Sequence, residues 1–411
     1  MKLKCGLLGQ KLGHSYSPLI HSALSSAYSY ELFEIEPDEL ATFIEKKEFH
    51  GLNVTIPYKT MVIPYCTKLS ALASAIGSVN TILKQEDGIL YGDNTDAAGF
   101  LAMIKGCGAI VKDKKILILG SGGSSLTVKA VLKSQSAAEI ITVSRNGEDT
   151  YENLQRHYNA HIIVNTTPVG MYPDTGKTLI ELSKFPQMEA VLDLVYNPFR
   201  TRLLMDAESL DIAHISGLSM LVSQAKRSAE LFSGKAISSE KEADILALLQ
   251  KQMENIILIG MPGCGKTTVG QALAKIMGRP FYDSDNLLET EAKMTIPEIF
   301  EKEGVDGFRE REIKVLEKLG KESGLIIATG GGCITREENY AHLHQNGRII
   351  FLERSIDLLE RKGRPLSTNI DLNEMYIERL PLYRRFADFT IKNNSAAQTI
   401  AESISSTLAK P

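Results

Sequence analysis

The sequence predicts an α/β fold of more than one domain, built on parallel sheets, and three observations carry the prediction. Short apolar runs such as "KILILG" (115–120), "EIITVS" (139–144), "HIIVNTT" (161–167), "IILIG" (256–260), "LIIATGG" (325–331) and "RIIFLE" (348–353) alternate with helical patterns, which is the rhythm of strand–helix–strand units. Two of these runs end in glycine-rich turns that open a helix, at 120–123 and 260–267. At 411 residues, 43% hydrophobic and 23% charged, the chain is globular and too long for one ordinary core.

Composition also narrows the function. A net charge of −4 supplies no basic field for a nucleic-acid partner. The five cysteines (Cys5, Cys66, Cys107, Cys264, Cys333) contain no C-x-x-C pair, so neither a disulfide framework nor a thiolate zinc site is indicated, and a reducing compartment fits. No uninterrupted apolar run approaches the ~18 residues of a bilayer span, and "MKLKCGLLGQ" turns polar too early for a signal peptide. A soluble cytoplasmic protein without a membrane partner is expected.

Residues 1–100 set polar clusters among apolar runs: "GHSYSPLIH" (13–21), "GLNVTIPYK" (51–59), "IGSVNTI" (76–82) and "YGDNTDAAGF" (91–100). Pro57 ends a strand pattern and presents Lys59 at a strand edge. Lys59 and Asp96, both flanked by small polar residues, suit a polar pocket more than a core, but the residues alone favour a surface lysine and a turn aspartate.

The segment "KKILILGSGGSSLTVKAVLKSQSAAEIITVSRN" (114–146) reads as strand, glycine turn, helix, strand, half of a dinucleotide-binding unit. Gly120, Gly122 and Gly123 supply the turn, although Ser125 stands where the third glycine of G-x-G-x-x-G belongs. The acidic residue that binds the ribose hydroxyl of NAD roughly 20 residues later is missing. Ser144 and Arg145 stand there instead, so a 2′-phosphate and hence NADP is preferred; a solvated strand end is the plain alternative for Arg145. The polar stretch "SGKAISSEKEAD" (233–244) suggests a domain edge, and "ILALLQKQMEN" after it reads as a helix.

Gly260-Met-Pro-Gly263-Cys-Gly265-Lys266-Thr267 matches G-x-x-x-x-G-K-[ST] between a strand and an apolar-periodic helix. The glycines turn backbone N–H groups toward phosphate oxygens, Lys266 reaches the outer phosphates, and the Thr267 hydroxyl, followed by Thr268, stands at the helix start where Mg²⁺ is held. ATP and Mg²⁺ are therefore implied. In "FYDSDNLLE" (281–289), Asp283 and Asp285 are expected to point one way from the end of a strand, one toward the metal and one toward a substrate hydroxyl, with a helix N-cap as the alternative for Asp285. Cys264, inside the loop, is expected to react with a bulky thiol reagent, with a small buried residue as the plain alternative.

Asp283-x-Asp285, "FRERE" (308–312), "TGGGC" (329–333), "GRPL" (363–366) and "RLPLYRRFAD" (379–388) occur in the order and spacing of the shikimate kinase family, which residues 255–411 resemble. The resemblance implies a P-loop NTPase-type three-layer domain in which Arg309, Arg379 and Gly330, Gly331 and Gly332 hold the substrate carboxylate and hydroxyls. It also implies that Asp285 binds the attacking hydroxyl and that Arg364 comes down on a lid. The four N-terminal clusters, "GSGG", "NTTPVGM" (165–171), "DLVYNPFRTRLL" (193–204) and "SGLSMLVSQA" (216–225) resemble in the same way the shikimate dehydrogenase family, across residues 1–252.

That second resemblance implies a two-domain dehydrogenase: a catalytic domain from 1–98 plus 218–252, with a Rossmann-like NADP domain, 99–217, inserted between. It places Ser15, Ser17, Thr55, Asn80, Asp96, Tyr196 and Gln224 around shikimate, makes Lys59 and Asp96 the catalytic pair, and lines the cofactor with Gly120, Gly122, Gly123, Ser144, Arg145 and Met220. The product of the first module, made from 3-dehydroshikimate with NADPH, is then the substrate of the second. Two rival readings remain: a first module that acts on quinate with NAD, and a catalytically silent ligand sensor. The sensor is disfavoured because Lys59, Asp96, Lys266, Thr267 and Asp285 are all present.

Overall fold

A computed structural model describes residues 3–13, 15–359 and 372–409. The chain divides into two compact units, Met1–Met171 with Lys177–Leu249, and Tyr172–Gly176 with Gln250–Pro411. Among the described residues no helix is long and apolar enough to cross a membrane.

The first unit holds two sheets. One contains β1 (Leu3–Gly9), β2 (Tyr28–Glu34), β3 (Gly51–Val54), β4 (Lys68–Leu69), β5 (Thr81–Lys84) and β6 (Leu90–Asp93) in the order β2-β1-β3-β5-β6-β4. Its β2-β1-β3 part is parallel, and β5 runs antiparallel to both β3 and β6. The sequence rhythm predicted parallel sheets and missed this mixed one, because short strands joined by a tight turn at Asp87–Gly88 need no crossover helix. The other contains β7 (Lys115–Leu119), β8 (Glu139–Val143), β9 (Ile162–Asn165), β10 (Ala190–Asp193) and β11 (Ala213–Ser216), all parallel, in the order β11-β10-β9-β7-β8. Its central strands bury nearly every side chain, as a sheet covered by helices on both faces demands.

Two helices tie the functional ends of the first unit. Asp96–Cys107 ends on Gly108, whose φ of 70° gives the left-handed C-cap that glycine adopts without strain. It crosses Leu218–Ser233 at Gly99, where a Cβ would fall 2.6 Å from the Met220 carbonyl oxygen, so only glycine allows this approach. The polar stretch read as a domain edge is a turn between helices: Leu218–Ser233 stops at left-handed Gly234, and Ser239–Met253 follows. Glu242 accepts hydrogen bonds from Ser223 and from Lys226, the latter at 2.8 Å, holding the second helix to the first.

The second unit is built on β12 (Asn255–Ile259), β13 (Phe281–Asp283), β14 (Ile326–Ala328), β15 (Gly347–Glu353) and β16 (Phe389–Lys392), parallel and ordered β13-β14-β12-β15-β16. Ile256–Ile259, Ile326–Ala328 and Ile349–Leu352 are almost wholly buried in one apolar core. A fully buried Leu or Ile contributes roughly 1.5–3 kcal/mol. Leu258→Ala therefore costs about 2–5 kcal/mol once the cavity is counted. Ligands of such sheets bind beyond the carboxyl ends of the strands, beside the central strand where the order reverses.

Candidate active sites

Lys59 lies in the turn that follows β3, and Asp96 opens the Asp96–Cys107 helix. The Lys59 Nζ donates to Asp96 Oδ2 at 2.6 Å, with the side chains only 15% and 9% exposed. Distant in sequence, the two groups form a nearly dry ion pair. The corner before Asp96 is fixed by a buried polar knot. Asn80 Oδ1 accepts from the Thr95 N–H at 2.6 Å and from the Thr81 hydroxyl at 3.2 Å, while Asn80 Nδ2 donates to Thr95 Oγ1 at 3.0 Å. Behind Thr81 stands Asn53, whose Nδ2 donates to the Thr81 hydroxyl at 3.3 Å and whose Oδ1 accepts from Tyr30 at 2.8 Å.

The expected substrate ligands fall in several places. Ser17 begins the Ser17–Leu24 helix, and its N–H donates to Ser15 Oγ at 3.2 Å. Thr55 directly follows β3, its N–H bonded to the Leu8 carbonyl. Tyr196 packs edge-on against Tyr16 with centroids 6.3 Å apart. Gln224 rides on Leu218–Ser233 beside Gly99, three residues beyond Asp96. Asn80 is 3% exposed and its amide is engaged with the Thr95 corner. Met220 sits in the apolar cluster with Phe100, Met103 and Ile118.

A cleft of about 670 Å³ lies between the two sheets of this unit. Gly120, Gly122, Gly123, Ser144 and Arg145 line one side, and Ile56, Lys59 and Thr60 line the other. Gly120 has φ 103°, and a Cβ there would meet Thr167 Cγ2 at 2.7 Å. By contrast, a Cβ on Gly122 or Gly123 meets nothing within 4 Å. Nothing inside the protein requires those two glycines, but they leave the start of the Gly123–Ser134 helix bare to the cleft. That fits a pyrophosphate against backbone N–H groups, and Arg145 supplies a cation at the β8 end of the same cleft.

In the second unit, Gly260, Gly263 and Gly265 have φ of 149°, 82° and 96°. Lys266 Nζ donates to the Gly260 and Met261 carbonyls at 2.8 and 3.0 Å. Cys264 is fully buried, with its sulfur 2.9 Å from where a Gly260 Cβ would stand, so the thiol expected to react is a packed one. A cleft of about 670 Å³ is lined by Gly263, Gly265, Lys266, Thr267, Thr268 and the residues below. Arg364 lies outside the described residues.

The two aspartates do not share a strand face. β13 ends at Asp283, whose carboxylate caps the Ser284–Ala292 helix by accepting from the Asp285 N–H at 3.0 Å, and Asp285 sits in the first helical turn. The cap is thus Asp283. Its other oxygen accepts from Thr267 Oγ1 at 2.7 Å, so two hard oxygen donors meet at the loop mouth, a donor set suited to Mg²⁺.

The resemblance places substrate hydroxyls and carboxylate at Gly330, Gly331 and Gly332, and side chains of the protein itself crowd these glycines. A Cβ on Gly330 would stand 2.7 Å from both Asp285 Oδ1 and Glu312 Oε1, on Gly331 2.7 Å from Pro262, and on Gly332 2.0 Å from Arg309 Nη2. Arg379 Nη1 donates to the Gly331 carbonyl at 3.2 Å, and the Tyr383 hydroxyl donates to the same oxygen. Glu312, which sequence reasoning missed, is 1% exposed and pairs with Arg309 at 2.5 Å. The signal available was its position three residues after Arg309 on one helix face.

Asp285 Oδ1 and Glu312 Oε1 are buried without a hydrogen-bond partner. Burial, then the charges of Asp283 and Glu312, push the Asp285 carboxyl up to about 7 against the pull of Lys266 and Arg309. Burial likewise raises Glu312 against the opposing effect of Arg309. Two unsatisfied acceptors beside two guanidinium groups fit a ligand carrying both hydroxyls and a carboxylate.

Fold and sites define a chain with two enzyme modules, a dinucleotide-dependent dehydrogenase and a P-loop kinase for a small polyol acid. The family model for the shikimate dehydrogenase substrate binding domain matches residues 7–82, and that for shikimate kinase matches 262–409. Shikimate dehydrogenase (NADP(+)) of Clostridium perfringens is 34% identical over 260 residues, 58% of this chain and 96% of that protein. Among solved structures, a chorismate mutase/shikimate 5-dehydrogenase fusion protein from Clostridium acetobutylicum is 33% identical, with TM-score 0.59, covering 61% of this chain and 98% of its own. Shikimate 5-dehydrogenase from Thermus thermophilus in complex with NADP(H) and shikimate is 29% identical, with TM-score 0.55, covering 59% and 98%. The chain belongs to the shikimate dehydrogenase family and carries a shikimate kinase domain behind it.

Proposed function

We propose that the chain carries out two consecutive steps: NADPH-dependent reduction of 3-dehydroshikimate to shikimate, then ATP-dependent phosphorylation of shikimate to shikimate 3-phosphate. The observation that carries this reading is the joint presence, in one chain, of the Lys59–Asp96 ion pair at a dinucleotide cleft and of Asp285 beside a complete phosphate loop.

When bound, NADPH supplies a hydride and MgATP the γ-phosphoryl group. In the first module Lys59 donates a proton to the ketone oxygen as charge develops there, and Asp96 orients Lys59 and takes a hydrogen bond from a neighbouring hydroxyl. Gln224, Tyr196, Thr55, Ser15 and Ser17 bind the remaining hydroxyls and the carboxylate, while Asn80 holds the corner that aims Asp96. In the second module Arg309 and Arg379 pair with the substrate carboxylate, and Asp285 accepts a hydrogen bond from the attacking hydroxyl. Thr267 and Asp283 hold the metal, and Lys266 turns from its loop carbonyls toward the phosphates. A cytoplasmic enzyme is part of this reading, since both co-substrates are supplied there and the five cysteines are free thiols.

The test is steady-state kinetics of the whole purified chain, with kcat/KM for shikimate and quinate with NADP and NAD, and ATP-dependent phosphorylation of shikimate measured separately. Preference for quinate with NAD would replace the first assignment, and absence of phosphorylation would remove the second.

A further inference from the structure

Arg354 stands where β15 ends, outside every motif used above. It lines the kinase cleft together with Gly265, Asn393 and Ser395. Its Nη1 lies 3.4 Å from where a Cβ on Gly265 would stand, and Asn393 Nδ2 lies 3.1 Å from the same point. Asn393 has a defined role, donating to the Cys264 carbonyl at 2.5 Å and so holding the loop. Arg354 does not: its Nε is buried with no hydrogen-bond partner. Its neighbour Glu353 is turned to Tyr376 at 3.3 Å and Arg384 at 3.6 Å. Among the described residues Arg354 forms no ion pair, although the unit holds several exposed carboxylates.

A guanidinium drawn partly out of water, with one N–H unsatisfied, leaves its desolvation cost unrecovered unless an anion completes it. The adjacent surface is the glycine loop, whose bare backbone is shaped for phosphate. We propose that Arg354 is a nucleotide-binding residue of the kinase module, its guanidinium contacting the phosphate chain of ATP or ADP from the β15 side of the loop, opposite the Thr267–Asp283 pair. The proposal rests on the kinase reading above and adds to it a cation that the phosphate-loop motif does not contain.

The test uses three full-length proteins: wild type, Arg354→Gln, which keeps a planar polar group without the charge, and Arg354→Lys. Dissociation constants for ADP, adenosine and shikimate are measured by calorimetry or competition, with dehydrogenase turnover as the control for folding. Wild-type phosphorylation of shikimate establishes the underlying reading first; its absence would overturn that reading, and the proposal with it. Given that activity, Arg354→Gln weakens ADP about ten- to thirtyfold, as loss of a charge-assisted hydrogen bond does, and leaves adenosine and shikimate within twofold. Arg354→Lys recovers most of the ADP affinity. Unchanged ADP binding in Arg354→Gln overturns the proposal. So does an equal loss for adenosine, which would mark a stacking contact with the base. If Arg354→Gln fails to fold, the salt dependence of ADP binding in Arg354→Lys and wild type decides: comparable slopes support a point charge at the phosphates, while ADP affinity in Arg354→Lys as low as that for adenosine refutes it.

Discussion

Lys59 Nζ lies 2.6 Å from Asp96 Oδ2, although 37 residues separate them in sequence. An ammonium held this way is oriented by its partner, and the pair is withdrawn from water enough for that orientation to persist.

Lys59→Ala is therefore expected to reduce NADP-linked oxidation of shikimate by about 10²–10⁴-fold, the usual contribution of a positioned proton donor or acceptor. ATP-dependent phosphorylation by the same protein should stay near its normal rate, and Asp285→Asn should show the reverse. Assaying both reactions on each variant checks this. Loss of both from either change in a folded protein would refute two independent sites.

Asp285 should impose an acid limb on the kinase. Its carboxyl is pushed up to about 7, first by burial and then by Asp283 and Glu312, and it must be ionised to accept a hydrogen bond from the attacking hydroxyl. Kinase kcat/KM for shikimate should thus rise with pH up to and through about 7. Glu312→Gln removes a repelling charge and frees Arg309, and both changes move the limb to lower pH. The same shift makes the folded ligand-free state bind the proton more tightly than the unfolded one. Stability should therefore fall as pH rises from about 4, the unfolded carboxyl value, to about 7, and then level off. Asp285→Asn should flatten that slope in denaturant titrations.

Both glycine turns were legible in the sequence because their demands are local: strand, turn and helix follow one another, and positive φ is needed within a few residues. What was not legible depends on distant neighbours. Nothing near Gly330 in sequence announces that Asp285 and Glu312 press on it, and nothing near Cys264 announces that it packs under Gly260. Asp285 does not share a strand face with Asp283 because Asp283 itself caps the helix, two residues before the cap position weighed at Asp285. Met220 is a second case: the resemblance places it on the cofactor, whereas the crossing at Gly99 turns it into the apolar cluster around Phe100.

Arg145 and Ser144 line the cleft at the end of β8, where the sequence lacks an acidic residue. Arg145 is exposed, so its contact with a 2′-phosphate is worth the lower end of a charge-assisted bond. Arg145→Ala should raise KM for NADP⁺ about tenfold while leaving KM for NAD⁺ within about twofold. Titration of both cofactors at saturating shikimate decides. An equal rise for both would assign Arg145 to a part of the dinucleotide that the two share.

The final expectation concerns Thr81, which touches neither member of the Lys59–Asp96 pair. It is fully buried, with its hydroxyl 3.2 Å from Asn80 Oδ1, 3.0 Å from Thr95 Oγ1 and 3.3 Å from Asn53 Nδ2. Asn80 in turn grips the Thr95 N–H, so the hydroxyl braces the corner that aims Asp96. Thr81→Val keeps the shape and deletes the hydroxyl, leaving Asn53 Nδ2 without its buried acceptor, at a cost of about 1–3 kcal/mol. If Thr81 only supported the fold, the surviving folded enzyme would turn over normally. A positioning role instead lowers dehydrogenase kcat by about tenfold, since small misplacements at a reacting centre reduce rates steeply, with KM for NADP⁺ unchanged. Thr81→Ser, which restores the hydroxyl and omits the methyl, should recover kcat before it recovers stability. Thermal unfolding of the three proteins beside their kcat values separates the two roles, and a Thr81→Val enzyme with normal kcat at a temperature where it is fully folded would leave Thr81 a structural residue alone.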